Sequence, residues 1–213
     1  MAIYNSGETV TIRGTLDISS GTLTAKSGQL PRSYLAEESL AELGVPLAEV
    51  RVWDAPGSSL PASATADDMG LSGGSYPTSS VTIKTSDAKA ASGQTQYGRF
   101  FIPVENNFVL GETMTLRVQA GMNTTISDGT ATVDLNVYVA DADGDFGSDI
   151  CATAAQSCNS LTKAAKDFTI TTTSLAHGDV LDCRLTMAIT DSATATAVVG
   201  EISSIKLLRD IKG

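Results

Sequence analysis

The sequence predicts an all-β protein, an antiparallel sandwich or barrel, and three observations carry that expectation. From about residue 48 to 208 it reads as eight extended segments separated by Gly, Pro, Asp and Ser turns. Thr and Val are abundant, and both favour strands because branching at Cβ restricts χ1 in helices and packs well on a pleated surface. The aromatic share is only 5% against a hydrophobic share of 42%, so the core is expected to consist mainly of Val, Ile and Leu. With 213 residues, the chain can bury one large domain, or one domain plus an arm.

Residues 1–44 are expected to form an extended N-terminal arm ending in one short helix, and residues 45–213 the sandwich. The lead, up to about residue 33, is rich in Thr, Ser and Gly. Its segment Glu8–Arg13 alternates, with Val10 and Ile12 on one side, and Leu16, Ile18 and Leu23 continue the apolar series. These residues are too few to make a core of their own, so they are expected to lie against their own domain or a neighbour. Ser33 reads as a helix N-cap, Leu35, Leu40 and Leu43 as one helical face, and Gly44 with Pro46 as the stop. A second, weaker helical stretch spans Ala152–Ala165, rich in small residues but broken by Ser and Asn.

The expected strands are Glu49–Trp53, Ser80–Thr85, Gly98–Pro103, Thr113–Gln119, Thr130–Val139, Asp167–Thr172, Leu181–Thr190 and Val198–Leu208. Several alternate cleanly. Val133, Leu135, Val137 and Val139 point one way, while Asp134, Asn136 and Tyr138 point the other. Met114, Leu116 and Val118 repeat the pattern, as do Cys183, Leu185, Met187 and Ile189. One buried and one wetter face per strand suits an antiparallel sheet.

Composition narrows function. The net charge of -10 repels phosphate backbones, and no Lys/Arg cluster forms a basic patch, so direct nucleic-acid binding is not expected. No stretch approaches the ~20 apolar residues of a membrane helix. The start, MAIYNSGETVTIRG, lacks the pattern of a secretory leader, so synthesis without export is expected. The three cysteines are then expected to be reduced, although Cys151 and Cys158 are close enough to be bridged across a loop. Cys183, in phase with Leu185, is expected to be a buried thiol.

Catalytic parts are scarce, and no enzymatic activity is expected. The chain has one histidine, His177, in a turn, where a surface role is expected. It has no Gly-x-Ser-x-Gly elbow, and Gly73-Gly74 is not followed by the Lys-Ser/Thr of a phosphate loop. Asp54, Asp67, Asp68 and Glu105 could supply a glycosidase pair, but nothing in the sequence pairs them. Trp53, the single tryptophan, ends an apolar strand and is expected in the core. The sharpest local motif is Asp141-Ala-Asp143-Gly-Asp145-Phe-Gly-Ser-Asp149. Its carboxylates Asp141, Asp143, Asp145 and Asp149 could converge on Ca²⁺. Against this, the EF-hand pattern is incomplete, with Ala152 at its twelfth position, and Asp and Gly also suit an acidic hairpin tip. No other cofactor is expected.

Several stretches together resemble a known family. They are Val45-Pro-Leu-Ala-Glu-Val-Arg-Val-Trp-Asp54, Leu60-Pro-Ala with Asp67-Asp68-Met-Gly-Leu71, Arg99-Phe-Phe-Ile-Pro103, Leu116-Arg-Val-Gln-Ala-Gly-Met122, Ala131-Thr-Val-Asp-Leu-Asn-Val-Tyr138 and Gly178-Asp-Val-Leu181. Over about residues 45–210 the chain resembles the jelly-roll decoration (auxiliary, cement) proteins of tailed-bacteriophage heads. The likeness is one of strands and turns and carries no catalytic signature. It implies an eight-stranded antiparallel jelly-roll sandwich, commonly trimeric, made in the host cytoplasm and seated on the capsid exterior. Its partners would be the major capsid protein and further copies of itself, with Val10, Ile12, Leu16, Ile18 and Leu23 as an intersubunit arm. The rival expectations are a calcium-dependent carbohydrate-binding sandwich and another phage structural subunit, a major capsid or tail protein.

Overall fold

A computed structural model describes residues 38–90, 93–140, 146–194 and 196–212. The arm residues Val10, Ile12, Leu16, Ile18 and Leu23, and the loop residues Asp141, Asp143 and Asp145, lie outside the described residues. The described chain forms ten strands and one short 3-10 turn at Leu47–Glu49. The strands are β1 (Glu38–Val45), β2 (Gly70–Gly73), β3 (Val81–Lys84), β4 (Gln94–Pro103), β5 (Met114–Met122), β6 (Thr130–Ala140), β7 (Gln156–Ser157), β8 (Ala164–Ile170), β9 (Val180–Thr190) and β10 (Gly200–Lys212). Every pairing between them is antiparallel.

Two sheets stack face to face. The smaller has the order β4-β9-β6-β7 and the larger β2-β3-β10-β5-β8, with β1 also on β10. Taken alone, β3 to β10 give the four-strand orders 3-10-5-8 and 4-9-6-7. That alternation of consecutive strands between sheets is the double Greek key of a jelly roll. Seven of the eight expected strands are present, as β3, β4, β5, β6, β8, β9 and β10; β7 completes the jelly roll, and β1 and β2 extend one side of the larger sheet, making ten among the described residues.

Three expectations are corrected. Residues 38–45 are a strand, not the last turns of a helix. Ala41, Leu43 and Val45 are half-buried between exposed Glu42 and Gly44, the period of two that a strand needs. An eight-rung ladder to β10, from Glu38↔Lys212 to Val45↔Ile205, overrides the local helical spacing of the leucines. The stretch 49–53 contributes no strand, only isolated bridges from Arg51 to Ser59 and to Arg99. The helical reading of 152–165 gives way to β7 and the start of β8.

The core lies between the sheets. It takes Met114, Leu116 and Val118 from β5, Val133, Leu135 and Val137 from β6, and Cys183, Leu185, Met187 and Ile189 from β9. β10 keeps one face inward only by a register shift between Ile202 and Ser204, which puts Ile202 and then Ile205 and Leu207 into the core. An extra residue of this kind changes the alternation phase, as a bulge does. All three cysteines are free thiols; Cys158 and Cys183 are buried. Burial pushes the Cys158 thiol up to about 11 and Cys183 well above its ordinary value.

Glu201 ties β10 to both flanks. Its carboxylate pairs with Lys84 of β3 at 3.0 Å and with Lys163 at 2.6 Å. Lys163 reaches it by crossing over Gly121, where a Cβ would meet the Lys163 Cα at 3.0 Å and the Ser160 carbonyl at 2.9 Å. Burial raises the Glu201 pKa, but the bonds from Lys163 and Lys84 outweigh burial and leave it below the ordinary 4.5. A depressed carboxylate stabilises the fold fully above its unfolded pKa, and that contribution is lost as pH falls through the folded value. Melting temperature is therefore expected to drop as pH falls below about 4.5. Glu201→Gln is expected to melt lower than the wild type at pH 7 and to show a shallower acid decline. Parallel acid limbs in thermal melts would exclude Glu201 as a contributor.

Candidate functional site

The wet face of the smaller sheet collects aromatic and arginine side chains. Along β4, Gln96, Gly98, Phe100 and Ile102 are buried, which leaves Tyr97, Arg99 and Phe101 on the outer face. Across the sheet, Arg99 stands beside Arg184 of β9 and Arg184 beside Asn136 of β6. In the next row, Phe101, Asp182 and Tyr138 line up.

Two loops complete the face. Arg51 exchanges both backbone hydrogen bonds with Arg99 (2.7 and 3.0 Å), which hooks the 49–53 segment onto the free edge of β4. Trp53 is thereby brought beside Tyr97, with ring centroids 5.1 Å apart, and its Nε1 donates to Asp67 Oδ2 at 2.9 Å. At the far side, Ala140 bridges to Phe146, whose ring sits 5.9 Å from Tyr138, edge to face. Trp53 is thus half-buried on the surface and not in the core, which corrects its expected place.

Directly opposed like charges destabilise a sheet, and each arginine has its own compensation. Arg99 donates through Nε to Asp182 Oδ1 at 2.7 Å and through Nη2 to Asp182 Oδ2, a bidentate pair. The Asp182 hydrogen bond raises the Arg99 pKa against the opposing effect of burial. Its guanidinium also lies 5.3 Å from the Phe101 ring centre and 5.8 Å from that of Phe146. Arg184 donates to Asn136 Oδ1 at 2.7 Å and lies 5.4 Å from the Tyr97 ring. Such contacts are favourable by about 0.5–1 kcal/mol where exposed. Between these groups is a slot of about 230 Å³ lined by Trp53, Asp54, Arg99, Tyr138, Phe146, Asp182 and Arg184.

The residues singled out in the sequence fall elsewhere or play structural parts. Asp149 Oδ1 accepts the backbone N–H groups of Val137 and Cys151, each at 2.9 Å, and Oδ2 accepts Asn136 Nδ2 at 2.6 Å. Its carboxylate therefore organises the loop behind Phe146. Among the described residues no group of three or more His, Cys, Asp or Glu could hold a metal ion. Asp54, Asp67 and Asp68 gather around Trp53; burial, then Asp67 and Asp54, push the Asp68 pKa up. Glu105 is apart from them, bonded to Arg209 at 2.6 Å. His177 is exposed, and its Nε2 contacts the Phe108 carbonyl oxygen at 3.0 Å. A larger groove of about 650 Å³ lies beside the end of β1, with Val45, Pro46, Arg51, Phe101, Pro103 and Glu105 in its lining.

The sequence reading missed the set Trp53, Tyr97, Arg99, Tyr138, Phe146 and Arg184. A signal was there: Tyr97, Arg99 and Phe101 alternate in one strand with buried residues, and Tyr138 had already been placed on the wet side of β6. What could not be read was that β9 separates β4 from β6, so that residues about forty positions apart share one face.

No family model matches the chain, and no curated protein does so significantly. Solved structures match it at low similarity. The CBM22-1 xylan-binding domain of Xyn10C from Paenibacillus barcinonensis is 13% identical with a TM-score of 0.38, over 68% of this chain and 82% of that one. The enzymatically active domain of bacteriophage CBA120 tailspike protein 4 is 11% identical with a TM-score of 0.35, over 79% of this chain and 19% of that one. A structure of infectious bursal disease virus, Gt strain, matches at 14% identity and a TM-score of 0.32, over 73% of this chain and 42% of that one. The likeness concerns the β-sandwich alone. Among the described residues no helix is long and apolar enough to cross a membrane.

Proposed function

We propose that this chain is a virion structural protein, a decoration or cement subunit that binds the outer surface of a phage head and stabilises it through contacts between subunits. The observation that favours this reading is the edge formed by β1. Its eight residues pair with β10 on one side, and among the described residues nothing bonds to the backbone of the other side. The remaining long edges are occupied: residues 150–152 run along β8, and Arg51 with residues 67–69 runs along β4. An eight-residue edge without a partner among the described residues is a template for another strand.

The segment preceding β1 holds the alternating Val10 and Ile12 and the further apolar residues Leu16, Ile18 and Leu23. In this reading such a segment from one subunit adds to the edge of the next, or to the major capsid protein, and the subunits form a homo-oligomer, a trimer. The stability gained is then shared between chains, which suits a shell under internal pressure. A net charge of -10 keeps the free subunit soluble until it docks.

Deleting residues 1–30 is expected to leave a folded sandwich by circular dichroism and to abolish binding to capsids stripped of this protein, measured by co-sedimentation. Light scattering should show the full chain as an oligomer and the truncated chain as a smaller species. Capsid binding that survives the truncation would overturn the role of the arm. A full chain that is monomeric and binds no capsid would overturn the whole reading.

A further inference from the structure

We infer that the slot between Trp53 and the Tyr138–Phe146 pair is a carbohydrate site for a neutral oligosaccharide. This goes beyond a structural role and does not depend on it. The slot offers the two kinds of surface a sugar needs. Its walls are ring faces and edges already held in place: Trp53 is fixed by its bond to Asp67 and by Tyr97, and Phe146, 53% exposed, is braced by Tyr138 and Arg99. The C–H face of a sugar ring is apolar and covers such rings without stripping water from a polar group. Because the rings are ordered before binding, little conformational entropy is lost on stacking.

Between the walls are unsaturated polar groups of both signs. A guanidinium has five N–H donors. In half-buried Arg184 one of them reaches Asn136; its Nε, without a partner among the described residues, is itself covered, so it is the terminal Nη groups that can meet a ligand. Asp54, exposed at the rim, offers acceptors. Donors and acceptors side by side suit hydroxyl groups, which do both.

Charge selects the class of sugar. The lining holds two arginines, Arg99 and Arg184, and two aspartates, Asp54 and Asp182, so it carries no net formal charge. The chain as a whole is at -10, and its field repels anions. Phosphate, sialic acid and sulfated glycans are therefore disfavoured, and neutral hexose or pentose chains fit. A volume of about 230 Å³ is below the about 300–1,000 Å³ of a drug-sized pocket. It takes one ring inside, with neighbouring rings lying along the exposed sheet face toward Phe101.

Trp53 is the only tryptophan of the chain, so its emission reports on the slot directly. The experiment titrates the full-length protein with xylohexaose, cellohexaose and mannohexaose, and in parallel with sialyllactose and inorganic phosphate. A saturable emission change is expected with at least one neutral hexaose and none with the two anions. Phe146→Ala and Tyr138→Ala are each expected to weaken that response about tenfold while leaving circular dichroism and melting unchanged. No saturable response to any of the three hexaoses overturns the proposal, and so does a response to sialyllactose as strong as to the best hexaose. A change of oligomeric state in Phe146→Ala, without any glycan response, assigns the face to self-association and likewise overturns it. Capsid co-sedimentation of the same variants is expected to be unchanged, so the two proposals fail separately.

Discussion

Phe100→Ala is expected to destabilise the protein by about 3–5 kcal/mol, measured by urea denaturation. Phe100 is completely buried on the inner face of β4, opposite Cys183 of β9. Removing its ring forfeits the transfer energy of a large apolar side chain and leaves a cavity between two sheets that cannot collapse freely. The control is the next residue. Phe101 has the same side chain but points outward and is 44% exposed, so Phe101→Ala is expected to cost less than about 1 kcal/mol. The pair tests strand phase directly, because a shift of one position in β4 exchanges the two environments. Equal losses for the two variants would mean that β4 is not registered as described.

The same alternation explains what could be read from sequence. Seven of the expected strands correspond to β3, β4, β5, β6, β8, β9 and β10, and in β5, β6 and β9 a run of inward apolar residues is long enough to set a period of two. β7 has two residues and no such run, and it exists only because Thr132 and Val133 offer a partner. β1 carries a real strand pattern, with Ala41, Leu43 and Val45 in phase. It is shared with a plausible helical spacing, and only the ladder to β10 decides between them. Trp53 was legible as an apolar residue at a segment's end. Its destination depended on Arg51 pairing with Arg99, a contact 48 positions away that no local pattern announces. The site is less legible than the core for a general reason: the inner face is specified by repetition of one residue class, whereas the outer face is specified by which strands become neighbours.

Asp182→Ala is expected to cost about 3 kcal/mol, and the loss would come from charge, with little from packing. Asp182 is 5% exposed and is the carboxylate partner of Arg99 in a bidentate pair. Without it, a largely covered guanidinium keeps its desolvation penalty, and Arg99 faces Arg184 across adjacent strands with nothing between them. Removing both members of the pair is a different perturbation. Arg99→Met with Asp182→Leu leaves no charge to satisfy, so much of the loss is expected to be recovered, since pairs of this kind contribute more to geometry than to net stability. Urea denaturation of the two single variants and the double variant supplies the coupling energy. Tryptophan emission supplies the structural consequence, because Arg99 Nη1 also donates to the Trp53 carbonyl oxygen at 3.3 Å. In Asp182→Ala, the emission of Trp53 is expected to change in the folded protein without ligand. A single-variant cost below about 1 kcal/mol, within the range of exposed ion pairs, would show that the Arg99–Asp182 pair is solvated and does not hold the outer face in shape.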